Sequence, residues 1–173
     1  MDNIVALYVV ATPIGNLADI TLRALEVLKN VDVIACEDTR NTSVLLEKYS
    51  VSTHLISYHK FSEHERTELF LNYLRDGKSV ALVSDAGTPL ISDPGNFLVD
   101  KVLKEGFRAI PIVGASAITA ILSSTSRQGE DFKFVGFLPR VKNAIIDLIK
   151  ENKNENLIRI LRKLKKKYKR FSE

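Results

Sequence analysis

The sequence predicts an α/β fold, a mostly parallel sheet with helices on both faces. Three observations carry this. Short runs rich in Val, Ile and Ala recur along the chain without polar alternation, as strands buried on both sides do. Amphipathic segments of helical period separate them. Most of the boundaries carry Gly, Pro, Asp or Ser.

Taken in order, residues 3–11 (NIVALYVVA) form a first strand, broken by Pro13 and Gly15. Asp19 is placed to cap a helix containing Leu22, Leu25 and Leu28. Residues 31–37 make a second strand, DTRNTSVLLEKYS a short helix, and residues 54–59 a third strand. The next helix is the clearest: Ser62 and Glu65 have capping-box spacing, and Gly77 closes the end. Residues 78–84 form a fourth strand. After it, Asp93 is expected as N-cap, with Pro94 at the first helical position. Residues 107–113 form a fifth strand, 114–124 a helix of small residues and 132–137 a last strand.

The composition changes after Pro139-Arg140. The following residues contain no Gly or Pro, and no run reads as a strand. Ile145, Ile149, Leu157, Ile160, Leu161 and Leu164 predict one or two basic amphipathic helices. Two domains are therefore expected: 1–139, and a basic helical tail over 140–173. Residues 1–139 hold 13 Lys/Arg against 17 Asp/Glu, whereas residues 140–173 hold 12 against 4. The net charge of +4 thus comes from the tail, and contacts with nucleic-acid phosphates are expected first there.

The single Cys36 argues for a reducing, cytoplasmic setting and against a disulfide framework. No apolar run approaches the roughly 20 residues of a membrane span. The N-terminus reads as a strand and not as a signal peptide.

Ligands of parallel α/β sheets sit at the carboxyl ends of the strands. Three such loops are rich in Gly, Ser, Thr or Pro: 12–17, 84–95 and 114–117. They contain neither a P-loop, nor the dinucleotide fingerprint, nor a nucleophile elbow. Three His and one Cys offer no zinc spacing, so no metal is expected. His59 and His64 read as surface polar residues. Turn chemistry accounts for Asp93, Pro94 and Gly95 but less well for Ser84 through Thr88, because a plain connection needs few residues. Asp85 lacks the partner carboxylates of a Mg²⁺ site. Glu37, Asp38 and Arg40 could pair with one another or orient a substrate hydroxyl.

Together, ATPIGNLADITLRAL, EDTRNT, SDAGTPLISDPG, PIVGASA and GFLPR resemble, in order and spacing, the N-terminal domain of the ribosomal small-subunit RNA (cytidine-2′-O)-methyltransferases. That family belongs to the tetrapyrrole-methylase superfamily. The likeness covers residues 4 to about 140. It implies a homodimeric enzyme that uses S-adenosylmethionine (SAM) to methylate the 2′-hydroxyl of a cytidine ribose in the decoding region of 16S rRNA, within the small ribosomal subunit. Carried onto this chain, it implies SAM contacts at Pro13, Gly15, Asp85, Ala86, Gly87, Thr88, Leu90, Ser116 and Ala117. The 2′-hydroxyl is a weak acid, and Glu37, Asp38 and Asp85 are the candidate bases. The family continues past GFLP with a second α/β domain, which the 33 residues after Arg140 do not resemble. The chain is accordingly expected to be a truncated form. The alternative is a degenerate, non-catalytic member serving as an RNA-binding module.

Overall fold

The computed structural model describes residues 4–60, 62–124, 132–137, 139, 141–151 and 157–160. The chain divides into two compact units, residues 1–115 and 116–173.

The first unit is built on five parallel strands: β1 (Ala6–Val10), β2 (Val33–Cys36), β3 (Leu55–Ser57), β4 (Val80–Val83) and β5 (Arg108–Ile112). Their order across the sheet is β3-β2-β4-β1-β5. Four helices connect them: α1 (Leu22–Asn30), α2 (Thr39–Lys48), α3 (Glu63–Arg75) and α4 (Asn96–Lys104). Alternate residues of each strand point to opposite faces, and two separate cores result. On one face Leu7, Val9, Val33, Ala35, Val80 and Leu82 pack with Phe70, Leu71 and Leu74 of α3 and with Leu98 and Val102 of α4. On the other, Val10, Ile34, Cys36, Ala81, Val83 and Ile112 pack with Ala24, Val27 and Leu28 of α1 and Leu46 of α2. Each large apolar side chain buried this way contributes roughly 1.5–3 kcal/mol. β2 and β4 are buried at every position, which explains their uninterrupted apolar sequence.

The second unit contains α5 (Ala117–Ser123), β6 (Lys133–Phe137), α6 (Lys142–Glu151) and β7 (Leu157–Ile160). β7 pairs in parallel with β6. This corrects the expectation that the tail is free of strand: α6 is helical as expected, but Leu157 and Ile160 lie in a strand. The expected tail positions Leu161 and Leu164 fall outside the described residues.

Three helix starts also differ from expectation. Thr21, not Asp19, caps α1 by accepting from the Ala24 amide at 3.1 Å. Asp19 is absorbed in a 3₁₀ turn, Leu17–Asp19, capped by Asn16. Ser62 is the N-cap of α3, but its side chain makes no cap bond; its hydroxyl is engaged with the His59 backbone at 3.2 Å. The N-cap of α4 is Gly95 and not Asp93, and the first helical residue is Asn96 and not Pro94. Gly77 closes α3 as expected, at φ 75°.

Candidate functional site

The strand order has one reversal point. The connection from β1 to β2 crosses β4 in one direction, and the connection from β4 to β5 crosses β1 in the other. The loops leaving β1 and β4 thus start from adjacent carboxyl ends and run to opposite faces of the sheet, α1 on one and α4 on the other; ligands of open α/β sheets bind outside such carboxyl ends.

Here the two loops are bonded together. The Thr12 amide donates to the Gly87 carbonyl at 2.9 Å, and the Gly87 amide returns a bond to the Thr12 carbonyl at 3.0 Å. The Thr12 hydroxyl donates to the Ser84 carbonyl at 3.0 Å, and the Ser84 hydroxyl donates to the Gly87 carbonyl at 3.1 Å. Both side chains are buried. Buried polar groups are costly unless bonded, and each of these hydroxyls has an internal acceptor. Their role is to fix the loops. β5 joins the arrangement through the Ala11 amide, which reaches the Ile112 carbonyl at 3.2 Å, and through the Thr88 hydroxyl, which reaches the Ala115 carbonyl at 3.3 Å.

Gly87 lies at the centre, with φ 87°. A Cβ there would come within 3.3 Å of Ile14 Cγ2. Ile14 thus crowds it, and the left-handed backbone disfavours any side chain. Pro13 is buried beside this bridge, while Gly15 and Ala86 are exposed and Thr88 and Leu90 are half-buried. The surface offered consists largely of backbone and small side chains. Beyond it the β4–α4 connection takes three more left-handed residues: Leu90 (φ 74°), Ser92 (φ 69°) and Gly95 (φ 128°). Non-glycine residues persist in that region only when their surroundings enforce it.

The candidate bases differ sharply. Asp38 caps α2, accepting from the Arg40 amide at 2.9 Å, and pairs with the Arg40 guanidinium at 3.1 and 2.8 Å. The hydrogen bonds from the Arg40 side chain, followed by the one from its backbone, hold the Asp38 carboxyl down at about 2. The same pairing pushes Arg40 up. The mutual-pairing reading thus holds for Asp38 and Arg40. Glu37 is half-buried at the end of β2. Asp85 is half-buried on the β4 loop, where its Oδ2 accepts from the Asn41 side-chain amide of α2 at 2.8 Å. Cys36 lies beneath these carboxylates. Burial first, then the nearby Asp85 and Asp38, raise its thiol to about 11 against the pull of a Thr42 hydrogen bond. It is a neutral core residue.

Ser116 and Ala117 belong to the second unit, as the N-cap and first residue of α5. His64 is exposed and meets the Phe97 ring in a tilted contact with centroids 4.1 Å apart, and His59 is half-buried. Among the described residues no group of three His, Cys, Asp or Glu could hold a metal ion, and no helix is long and apolar enough to cross a membrane. Sequence reasoning missed Thr12, Ser84 and Asn41 as structural partners of the site. Asn41 lies within the EDTRNT stretch, one helical turn past Glu37, and that position was the available signal.

The loops and the sheet that carries them have clear relatives. The chain is 53% identical over 133 residues to ribosomal RNA small subunit methyltransferase I of Neisseria meningitidis serogroup B, covering 77% of this chain and 46% of that protein. The protein of the same name from Halalkalibacterium halodurans is 47% identical, with 85% of this chain and 51% of that protein covered. The one from Thermotoga maritima is 47% identical, with 88% and 68% covered. The chain spans about half the length of most of the curated relatives it matches. In fold it is similar to the crystal structure of diphthine synthase, with a TM-score of 0.68 at 19% identity over 90% of this chain and 63% of that one. The family description "Tetrapyrrole (Corrin/Porphyrin) Methylases" matches residues 6–169. On these likenesses, and on the parallel sheet with its bridged β1 and β4 loops, the chain belongs to the tetrapyrrole methylase family.

Proposed function

We propose that this chain is the cofactor-holding part of a SAM-dependent ribosomal small-subunit RNA methyltransferase, acting on the 2′-hydroxyl of a cytidine in the 16S rRNA decoding region. The observation that carries this reading is the Thr12–Gly87 bridge at the adjacent carboxyl ends of β1 and β4. The bridge uses up the Thr12 and Gly87 amides and carbonyls and so fixes the two loops around a glycine at which a side chain would be strained. A fixed surface of backbone and small side chains suits close approach by a zwitterionic amino acid joined to a nucleoside. Pro13, Gly15, Asp85, Ala86, Gly87, Thr88 and Leu90 would hold SAM, with Ser116 and Ala117 assigned by the family pattern.

Bound SAM supplies a methyl group made electrophilic by a positive sulfonium. The chain's own residues chiefly supply position, because the methyl group arrives already activated. Effective molarities from orientation reach roughly 10⁵ M or more. Of the three candidate bases, Asp85 is favoured. Asp38 is neutralised by Arg40 and committed to its cap. Asp85 is held from one side by Asn41, which fixes the carboxylate that would take the 2′-hydroxyl proton. The basic residues of 140–173 would contact rRNA phosphates, and the functional form would be a homodimer.

Calorimetry with SAM is the test. Absence of binding at millimolar SAM sinks the cofactor reading. The charge excess of 140–173 favours a second reading, an RNA-binding module without catalysis. A salt titration of 16S rRNA binding, with and without residues 141–173, tests it. An unchanged salt slope on deletion refutes it.

A further inference from the structure

We propose that Glu63 is a positioning residue that fixes the far end of the 84–95 loop and so sets its ligand-holding shape. The inference rests on the SAM reading of that loop.

The near end of the loop is fixed by Thr12 and Ser84. Its far end is Gly95, the N-cap of α4, whose amide is one of the donors that a helix start leaves without an intrahelical acceptor. Usually the third residue of the same helix would reach back to it. Here the acceptor comes from another helix: the Gly95 amide donates to Glu63 Oε1 at 2.7 Å, across 32 residues. Glu63 is itself the first residue of α3, where the helix dipole favours a carboxylate.

Glu63 is in turn tied into the core. Its carbonyl accepts from the Thr67 hydroxyl at 2.6 Å, and Thr67 pairs with the hydroxyl of fully buried Tyr58 at 3.0 Å. A continuous chain of hydrogen bonds thus runs from Tyr58 through Thr67 and Glu63 to Gly95. Between the two fixed ends lie Leu90 and Ser92, both left-handed. Left-handed non-glycine residues relax toward the common backbone regions when released. Loss of the Glu63 bond removes a restraint on them at the end the Thr12–Gly87 bridge does not reach.

Glu63→Ala removes the acceptor, and Glu63→Gln keeps an acceptor oxygen in nearly the same place. In the full chain without ligand, amide exchange at Gly95 and across 84–95 should quicken about tenfold in Glu63→Ala, relative to the amides of β1 and β4. A bond to a charged acceptor converts to that factor or more. Glu63→Gln should restore exchange to within about threefold. SAM affinity should follow the same order. Loop exchange in Glu63→Ala that changes no more than the sheet amides overturns the proposal, as does full loss in Glu63→Gln. If the wild-type chain binds no SAM, the cofactor reading fails, but exchange without ligand still decides the role of Glu63.

Discussion

Gly95→Ala tests whether the β4–α4 connection is as tightly determined as its geometry implies. Two costs add. At φ 128° the backbone conformation is nearly closed to L side chains, and forcing one there costs roughly 1–2 kcal/mol. The new Cβ would also lie 2.6 Å from Leu82 Cδ2 and 2.8 Å from Leu90 Cδ2. Leu90 is half-buried and can swing aside. Leu82 is 1% exposed and packed between sheet and helices, so its methyl has nowhere to go. Overpacking of this kind costs roughly 1–3 kcal/mol. The expected loss is about 3–4 kcal/mol, or roughly 10 °C in Tm for a chain of this size. Gly77→Ala is the control: it has φ 75°, but nothing lies within 4 Å of its Cβ, so it should lose only about 1 kcal/mol. Urea unfolding followed by circular dichroism gives both values. If the two variants lose the same stability, to within about 0.5 kcal/mol, the steric part of this reasoning is wrong.

Gly87→Ala should cost roughly 1–2 kcal/mol of stability and weaken SAM binding tenfold or more by calorimetry; undiminished binding would place the ligand elsewhere. Phe70→Ala removes a fully buried ring that meets Tyr58 edge-on at 5.6 Å, and should lose about 3–5 kcal/mol in urea unfolding. Burial raises Cys36 from 9.0 to about 11 and Tyr58 from 10.0 to about 12, so the fold prefers their neutral forms. Stability from both is complete below pH 9 and falls as pH rises through 9–11 and then 10–12; Cys36→Ala should flatten the first window in urea midpoints. Asp38 is lowered from 3.8 to about 2. Its contribution is present above pH 3.8 and lost as pH falls toward 2, and Asp38→Asn should flatten that acid limb.

The strands were legible because a sheet covered on both faces demands apolar side chains at nearly every position, and β2 and β4 obey without exception. Helix starts were less legible, because capping residues compete locally. Asp19 and Thr21 are both good caps, and the choice fell to the one nearer the first buried turn, with Asp19 drawn into a turn capped by Asn16. At Asp93-Pro94 the chain does not turn helical until Asn96, after the N-cap Gly95, whose amide finds Glu63. β7 was unreadable for a different reason: its four residues lie in a basic segment of helical period, and their pairing with β6 spans more than 20 residues. The site loops could be placed from glycine and small-residue content alone. What joins them could not, since Thr12 and Gly87 are 75 residues apart and the Thr12 hydroxyl bond to Ser84 spans 72.

The position of β1 between β4 and β5 has a consequence for synthesis on the ribosome. β2 and β3 are sheet neighbours and can pair as soon as both emerge. β1 is made first, yet neither of its neighbours exists until residues 80–83 have been added. For some 70 residues of translation, a run as apolar as ALYVV has no strand to dock against, and long-range parallel pairing is slow once it can begin. The nascent chain therefore carries this apolar segment unpaired throughout that interval. The same event that protects it, insertion of β4 beside β1, is the one that first brings Thr12 within reach of Gly87.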